Sequence, residues 1–299
     1  MTMRLNLQIG IPTTGRREIV SQVLPSLCRQ TRLPDRVMIA VASEADVDRS
    51  LLERLPLGFE VVLSEKGSCP QRNRILSRAS DADVLLFLDD DFILAPDYLA
   101  HLEDLFLTAP DVAVATGTVI ADGIMGPGLA FDEGMARIEA AGGRASPVVT
   151  EVYNGYGCNM AVRMRLQRET GVTFDEALPL YGWLEDVDFS RRLAARGRIV
   201  RSGALVGVHL GVKVSRSPGF SLGYSQIANP VYLLRKRTMS LRHAGVQMCR
   251  NVVANIGKLA RPEPWIDRRG RVKGNMKALA DLVSGRLDTT RILEFGGRR

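Results

Sequence analysis

At 299 residues the chain is long enough for one large α/β domain with an appendage, and 45% hydrophobic with 24% charged residues excludes disordered, collagenous and coiled-coil proteins. The net charge of +7 is unevenly placed: residues 211–299 carry 18 Lys and Arg against 5 acids, while residues 1–210 carry 22 against 28. A basic tail on an acidic body argues against a general nucleic-acid binder and for a catalytic body whose cationic extension meets anionic lipid or phosphate.

The first residues lead directly into an alternating apolar run, so no secretory signal is expected, and prolines and glycines in the uncharged stretch 217–234 forbid a bilayer-crossing helix there. Cys28, Cys69, Cys158 and Cys249 make no C-x-x-C pair and are expected to be reduced thiols of a cytoplasmic protein.

In chain order, Leu5, Leu7, Ile9 and Ile11 alternate with polar or small residues and predict a first strand ending at Pro12-Thr13-Thr14-Gly15. A helix follows on Ile19, Val20, Val23, Leu24 and Leu27, with Pro25 as a kink. Val37–Val41 is a second strand closed by Ser43-Glu44-Ala45-Asp46. Residues 59–63 are a third, followed by a loop through Lys66 and a helix from Pro70. Val84–Leu88 is five apolar residues in a row, a strand buried on both faces, and it stops at Asp89-Asp90-Asp91. This alternation predicts a mostly parallel sheet with helices on both faces.

Beyond it, Leu99, Leu102, Leu105 and Phe106 predict a helix, and residues 112–119 a strand. Residues 121–150 are rich in Gly and Pro and read as one long irregular stretch. A short strand is expected at 158–162, a helix entered through Trp183-Leu184-Glu185-Asp186, and a last strand over 199–208 with His209 at its end. Asn229 and Pro230 read as N-cap and first residue of a long basic amphipathic helix bearing Arg235, Lys236, Arg237, Arg242 and Arg250.

The three aspartates stand where ligands bind in open α/β sheets, beyond the carboxyl ends of the strands. Mutual repulsion makes them costly to keep ionised without a cation, and oxygen ligands favour Mg²⁺ or Mn²⁺. The loops holding Thr13, Glu44 and Lys66 through Asn73 would meet at the same edge and offer groups for a base, a ribose and a diphosphate. Each also has a plainer reading: Thr13 as a turn residue, Glu44 as a solvated acid, Arg72 as a surface ion pair. Glu185 and Asp186 lie in the first turn of a helix, which favours the ionised carboxylate, whereas Asp188 has Arg191 and Arg192 at i+3 and i+4 and reads as an ordinary pair. His209 is either a core histidine or a third metal ligand. Lys213 and Arg216 are candidates for a loop over a diphosphate.

With these residues in hand, the chain resembles glycosyltransferase family 2 over residues 5–235. Leu88-Asp89-Asp90-Asp91-Phe92 looks like the family's DXD motif, Arg72-Asn73 like its Arg-Asn element and Trp183-Leu184-Glu185-Asp186 like its ED motif. The resemblance implies a GT-A (Rossmann-like) α/β fold with a C-terminal helical extension. It implies residues 1–215 as the transferase domain (nucleotide-binding to about 120, acceptor-binding from about 121) and 216–299 as the extension. It further implies Asp91 and His209 as ligands of Mn²⁺ or Mg²⁺, and Asp89 and Asp90 near ribose and diphosphate. Pro12, Thr13, Glu44, Lys66 and Arg72 are expected around the donor, and Asp186 with Glu185 at the catalytic base. The expected activity is inverting transfer from a nucleoside-diphosphate sugar, a UDP-sugar first, to a glycan or lipid-linked acceptor in cell-surface polysaccharide synthesis. The protein would be cytoplasmic and peripheral at the inner face of the cell membrane, touching anionic lipid through the extension and binding no nucleic acid. Two rival readings stand beside it: a sugar-nucleotide nucleotidyltransferase, and a non-catalytic protein that binds membrane or nucleic acid through its tail.

Overall fold

The computed structural model of the chain describes residues 4–142, 146–214 and 218–297. Its contacts divide it into two compact units, one of Met1–Lys66, Pro70–Thr173 and Arg192–Ser215, the other of Gly67–Cys69, Phe174–Arg191 and Arg216–Arg299. Among the described residues the first unit holds nine strands in one sheet: β1 (Leu7–Thr13), β2 (Arg36–Val41), β3 (Phe59–Leu63), β4 (Val84–Leu88), β5 (Phe92–Leu94), β6 (Val112–Asp122), β7 (Val149–Glu151), β8 (Asn159–Arg163) and β9 (Arg198–His209). Eight of them follow the order β3-β2-β1-β4-β8-β6-β9-β5, and β7 pairs with β9.

Helices α1 (Arg17–Leu27), α2 (Arg49–Arg54), α3 (Ser68–Arg78), α4 (Tyr98–Thr108), α5 (Phe131–Ala141) and α6 (Met164–Thr170) accompany the strands. All five residues of β4 are buried, and Leu86 and Leu88 join Ile9, Ile11, Ile39 and the α1 residues Val20 and Leu24 in the main core. On β1, the position of Gly10 faces α3: a Cβ there would stand 2.4 Å from Ile75 Cγ2, so the helix reaches the sheet only because residue 10 has no side chain. Glycine inside a strand costs about 0.5–1 kcal/mol. Full burial of an isoleucine returns about 1.5–3 kcal/mol, so the exchange is favourable.

The parallel order holds from β3 through β2 and β1 to β4. Beyond β4 the sheet is mixed: β8 runs antiparallel to both β4 and β6, and β6 is again parallel to β9. Strand direction is set by the connections and leaves no trace in a pattern such as Asn-Met-Ala-Val-Arg. The β6–β9 ladder is not uniform, with shifts of register between Gly117 and Thr118 and between Val119 and Ala121. The stretch 121–150 differs from the irregular one expected. β6 runs on to Asp122 and α5 occupies Phe131–Ala141, its Gly134 packed where a Cβ would meet Leu210 and Ile93. Gly134 disguised that helix, although Phe131, Met135 and Ile138 keep its spacing.

The second unit contains α7 (Glu185–Leu193), which runs two residues into the first, with α8 (Gly219–Arg235), α9 (Leu241–Gly257), α10 (Arg268–Val283) and a 3₁₀ turn over Thr289–Gly297. The helix expected to begin at Pro230, with Asn229 as its N-cap, begins eleven residues earlier, at Gly219. Pro218 is its N-cap and Pro230 lies inside it. Asn229 makes a tether instead of a cap, its Nδ2 donating to the Trp183 carbonyl at 2.7 Å. Arg235 and Lys236 therefore close a helix, where cations complement its dipole, and do not open one. Lys236 reaches Asp188 at 2.7 Å, and Tyr232 donates to Asp175 at 2.7 Å. Residues 174–191 thus fold with residues 216–299.

Candidate active site

Two strand registers build the centre of the site. β4 ends at Leu88, and the turn Asp89-Asp90-Asp91 delivers the chain into β5, whose first residue, Phe92, pairs with His209 of β9. On the other side of β9, Asp122 of β6 pairs with the same histidine. Imidazole Nε2 is consequently 3.3 Å from Asp91 Oδ1 and 4.0 Å from Asp89 Oδ2, while Nδ1 is 2.9 Å from Asp122 Oδ1. Tyr156 braces the arrangement, donating its hydroxyl to Asp122 Oδ2 at 2.9 Å and presenting its ring edge-on to the imidazole.

The other aspartate oxygens are held by donors from separate elements. Arg72 of α3, 2% exposed, donates to Asp89 Oδ1 and to the Gly157 carbonyl, both at 3.0 Å. Asp90 is buried and accepts the Thr13 hydroxyl at 2.6 Å and Arg16 Nη1 at 2.8 Å. Arg16 also donates to the carbonyls of Val214 and Val212. Asp91 Oδ2 accepts the Val212 N–H at 2.8 Å. Around the ends of β1 and β2, Gln71 donates to the carbonyls of Thr13 and Ala40, and buried Asp46 accepts the N–H groups of Gly15, Ala42 and Ser43.

Of the residues singled out from sequence, Thr13, Arg72, Asp89, Asp90, Asp91 and His209 come together in this cluster. Pro12 lies beside them in β1, half-buried. Glu44 stands apart, exposed in a short 3₁₀ turn and clasped by Arg49 at 2.7 Å. Lys66 is exposed. Glu185 and Asp186 belong to the second unit, at the start of α7, where Glu185 is buried and Asp186 Oδ1 accepts the Val187 N–H at 2.8 Å. Lys213 donates to the Gly123 and Ile124 carbonyls, and Arg216 lies outside the described residues. Sequence reasoning missed Arg16, Asp122, Tyr156 and the bracing role of Asp46. For Arg16 the signal was a guanidinium three residues after Thr13; for Asp122, an acid just beyond an apolar strand.

The electrostatics follow from burying Asp90 and Asp91 beside the half-buried Asp89. Burial pushes the Asp90 carboxyl up to about 6, against the pull of Arg16. Burial works the same way on Asp91, but adjacent His209, Arg16 and the Val212 N–H outweigh it and hold this carboxyl down to about 2. For His209 burial disfavours the charge, yet Asp122, Asp91 and Asp89 surround the ring and lift it to about 10. Without an ion, the imidazolium serves as the local counter-charge.

A divalent ion suits the same place. Asp89, Asp91 and His209 each offer a ligand atom, all within 4.8 Å of one another. Asp91 Oδ1 is buried and makes no hydrogen bond, which an ion at this point would remedy. Two carboxylates with an imidazole suit Mn²⁺ or Mg²⁺, and a carboxylate on Nδ1, as Asp122 supplies, turns the lone pair of Nε2 toward a metal.

Residues 8–132, the part of the chain carrying Thr13, Arg72 and the aspartates, match the family model described as Glycosyl transferase family 2. This stretch is a family 2 glycosyltransferase domain. No curated protein matches the chain, but solved structures do. The S. aureus TarS 1-349 complex with UDP-GlcNAc shares 15% identity at a TM-score of 0.59, covering 94% of this chain and 81% of that one. The mannosyltransferase PcManGT from Pyrobaculum calidifontis, in complex with GDP-Man and Mn²⁺, shares 15% at 0.55, covering 99% and 80%. GalNAc-T7 with UDP, GalNAc and Mn²⁺ shares 14% at 0.56, covering 95% and 59%. Against a longer S. aureus TarS chain the match spans 44% of that chain's length. At such identities the likeness shows the fold, so the glycosyltransferase domain is set in a GT-A architecture.

Proposed function

We propose that the chain is a metal-dependent inverting glycosyltransferase that moves a sugar from a nucleoside-diphosphate donor, a UDP-sugar first, to a hydroxyl of a glycan or lipid-linked saccharide in cell-surface polysaccharide synthesis. The observation that carries this reading is the convergence of Asp89, Asp91 and His209 at the end of β4 within a family 2 domain. Structural neighbours solved with UDP-GlcNAc, GDP-Man or UDP, two of them with Mn²⁺, support a diphosphate donor and that ion. Asp91 and His209, with Asp89, would hold Mn²⁺ or Mg²⁺, which when bound supplies positive charge beside the departing diphosphate. Arg72 and Thr13 fix the acids. Pro12, Glu44, Lys66 and Asp90 are proposed to border the base, ribose and diphosphate. Asp186, with Glu185 before it, takes the proton from the acceptor hydroxyl as its oxygen attacks the anomeric carbon, and the configuration inverts.

Residues 216–299 are proposed as the membrane-facing part of a protein that works at the inner face of the cell membrane. Among the described residues no helix is long and apolar enough to cross a membrane. The test is incubation with UDP-GlcNAc, UDP-glucose and GDP-mannose, with and without Mn²⁺, reading release of the nucleoside diphosphate. Metal-dependent release from one donor is expected. Release of pyrophosphate from a nucleoside triphosphate and a sugar phosphate would favour the nucleotidyltransferase instead.

A further inference from the structure

Helix α9 has two apolar sides. On one, Met248 and Val252 pack against the cluster of Tyr224, Ile227 and Ala228 from α8, with Ala244 and Asn255 buried beside them. On the opposite side, Val246, Val253 and Ile256, spaced i, i+7 and i+10, are 50%, 69% and 55% exposed. Arg242 and Arg250 flank this outer ridge, and neither engages a carboxylate among the described residues. Acids nearby in the unit are already taken, Glu263 by Lys258 and Arg268, and Asp281 by Lys277 and Arg291. The ridge therefore presents valine and isoleucine side chains within a field of uncompensated positive charge.

We propose that this outer face of α9 docks on an anionic lipid bilayer, the helix lying in the plane of the headgroups with its ridge among the acyl chains. The inference deepens the reading above, which places an acceptor at the membrane, and narrows the contact within residues 216–299 to one face of α9. Charge and apolarity together select the occupant. A second copy of the chain would bring arginines against arginines, and a nucleic acid would satisfy the arginines while leaving Val246, Val253 and Ile256 in water. A bilayer with acidic headgroups satisfies both, and α9, 17 residues and about 25 Å long, has the length and the two-sided composition of an interfacial helix.

Flotation of the full chain with phosphatidylcholine vesicles, with and without phosphatidylglycerol, tests this. Wild type is expected to float only with the anionic vesicles. An arginine near such a surface contributes about fivefold, so Arg242→Glu with Arg250→Glu should weaken binding by at least about 25-fold. Val253→Asp with Ile256→Asp should abolish it, whereas Leu293→Asp, also on the exposed surface of this unit, should leave it unchanged. Wild type that stays at the bottom with anionic vesicles, or α9 variants that float like wild type, would overturn the proposal. So would tight binding to duplex DNA that survives the Val253 and Ile256 substitutions. Nucleoside-diphosphate release assayed on the same samples separates the two readings: activity retained without flotation faults only the docking face, and flotation without activity faults only the transferase.

Discussion

His209 Nδ1 lies 2.9 Å from Asp122 Oδ1, and this contact decides which imidazole nitrogen is available. With Nδ1–H donated to a carboxylate, Nε2 keeps its lone pair when the ring is neutral, directed at the space between Asp89 and Asp91. The same contact stabilises the imidazolium when no ion is present. Asp122 thus serves both forms of the site.

Replacing Asp122 by Ala removes that anchor without touching a proposed metal ligand. Mn²⁺ affinity, measured by calorimetry, is expected to fall about 10–100-fold, the usual cost of losing a supporting carboxylate. Tyr156→Phe, which removes one donor to Asp122, should fall in the same direction by less. Unchanged affinity in Asp122→Ala would remove that residue from the site.

A metal at the proposed site would compete with the proton for His209. Its folded value, about 10, lies above the ordinary 6.5, so the protonated ring stabilises the metal-free fold below about pH 6.5, and that stabilisation is lost as pH rises toward 10. Metal-free protein should therefore show a falling Tm over this window, and the fall should be shallower in His209→Gln. Added Mg²⁺ needs the neutral ring, so the Tm increase it produces should grow with pH. Protection by Mg²⁺ that weakens as pH rises from 6.5 to 9 would contradict the assignment.

Arg16 is the permanent counter-charge of the buried pair Asp90 and Asp91. Arg16→Ala leaves two buried carboxylates facing each other, a loss of about 3–5 kcal/mol by urea denaturation. Because Asp90 already titrates near 6 and Arg16 holds it down, the variant can escape part of this cost by taking up a proton. The loss should accordingly be smaller at pH 5 than at pH 8.

Asp186→Asn keeps the shape at the start of α7 and removes the basic oxygen. If Asp186 is the proposed base, donor binding should persist while kcat drops about 10²–10⁴-fold, the usual contribution of a general base. Turnover close to wild type would assign the proton transfer elsewhere.

The strands of the parallel half were legible because each is an apolar run closed by turn residues, and Val84–Leu88 with its acids announced both the strand and the site edge. Legibility failed where a residue's meaning depends on a distant partner. Asp122 reads as part of a glycine-rich stretch until β9 is laid beside it, and Arg16 reads as half of a basic doublet until Asp90 is folded underneath. Asn229-Pro230 misled because a sound local rule for starting helices was overridden by tertiary packing, which carries α8 through the proline. Glu44 and Asp46 invite the same confusion, since both close β2. The structure buries the shorter acid under three N–H groups and leaves the longer one to Arg49.

The irregular ladder between β6 and β9 makes the site sensitive to counting. Between Val119 and Ala121 the pairing skips Ile120, and only after that step does Asp122 come level with His209. Residue 120 stands outside the ladder, so excising it would leave Asp122 level with His209, whereas one extra residue inserted after Ala121 would carry Asp122 a step past it and, because side chains alternate along a strand, to the far face of the sheet with its chemistry intact. Alignment here is metered by the arithmetic of the backbone, and a single-residue insertion that changes no side chain of the cluster would undo the contact between Asp122 and His209 as surely as replacing either residue.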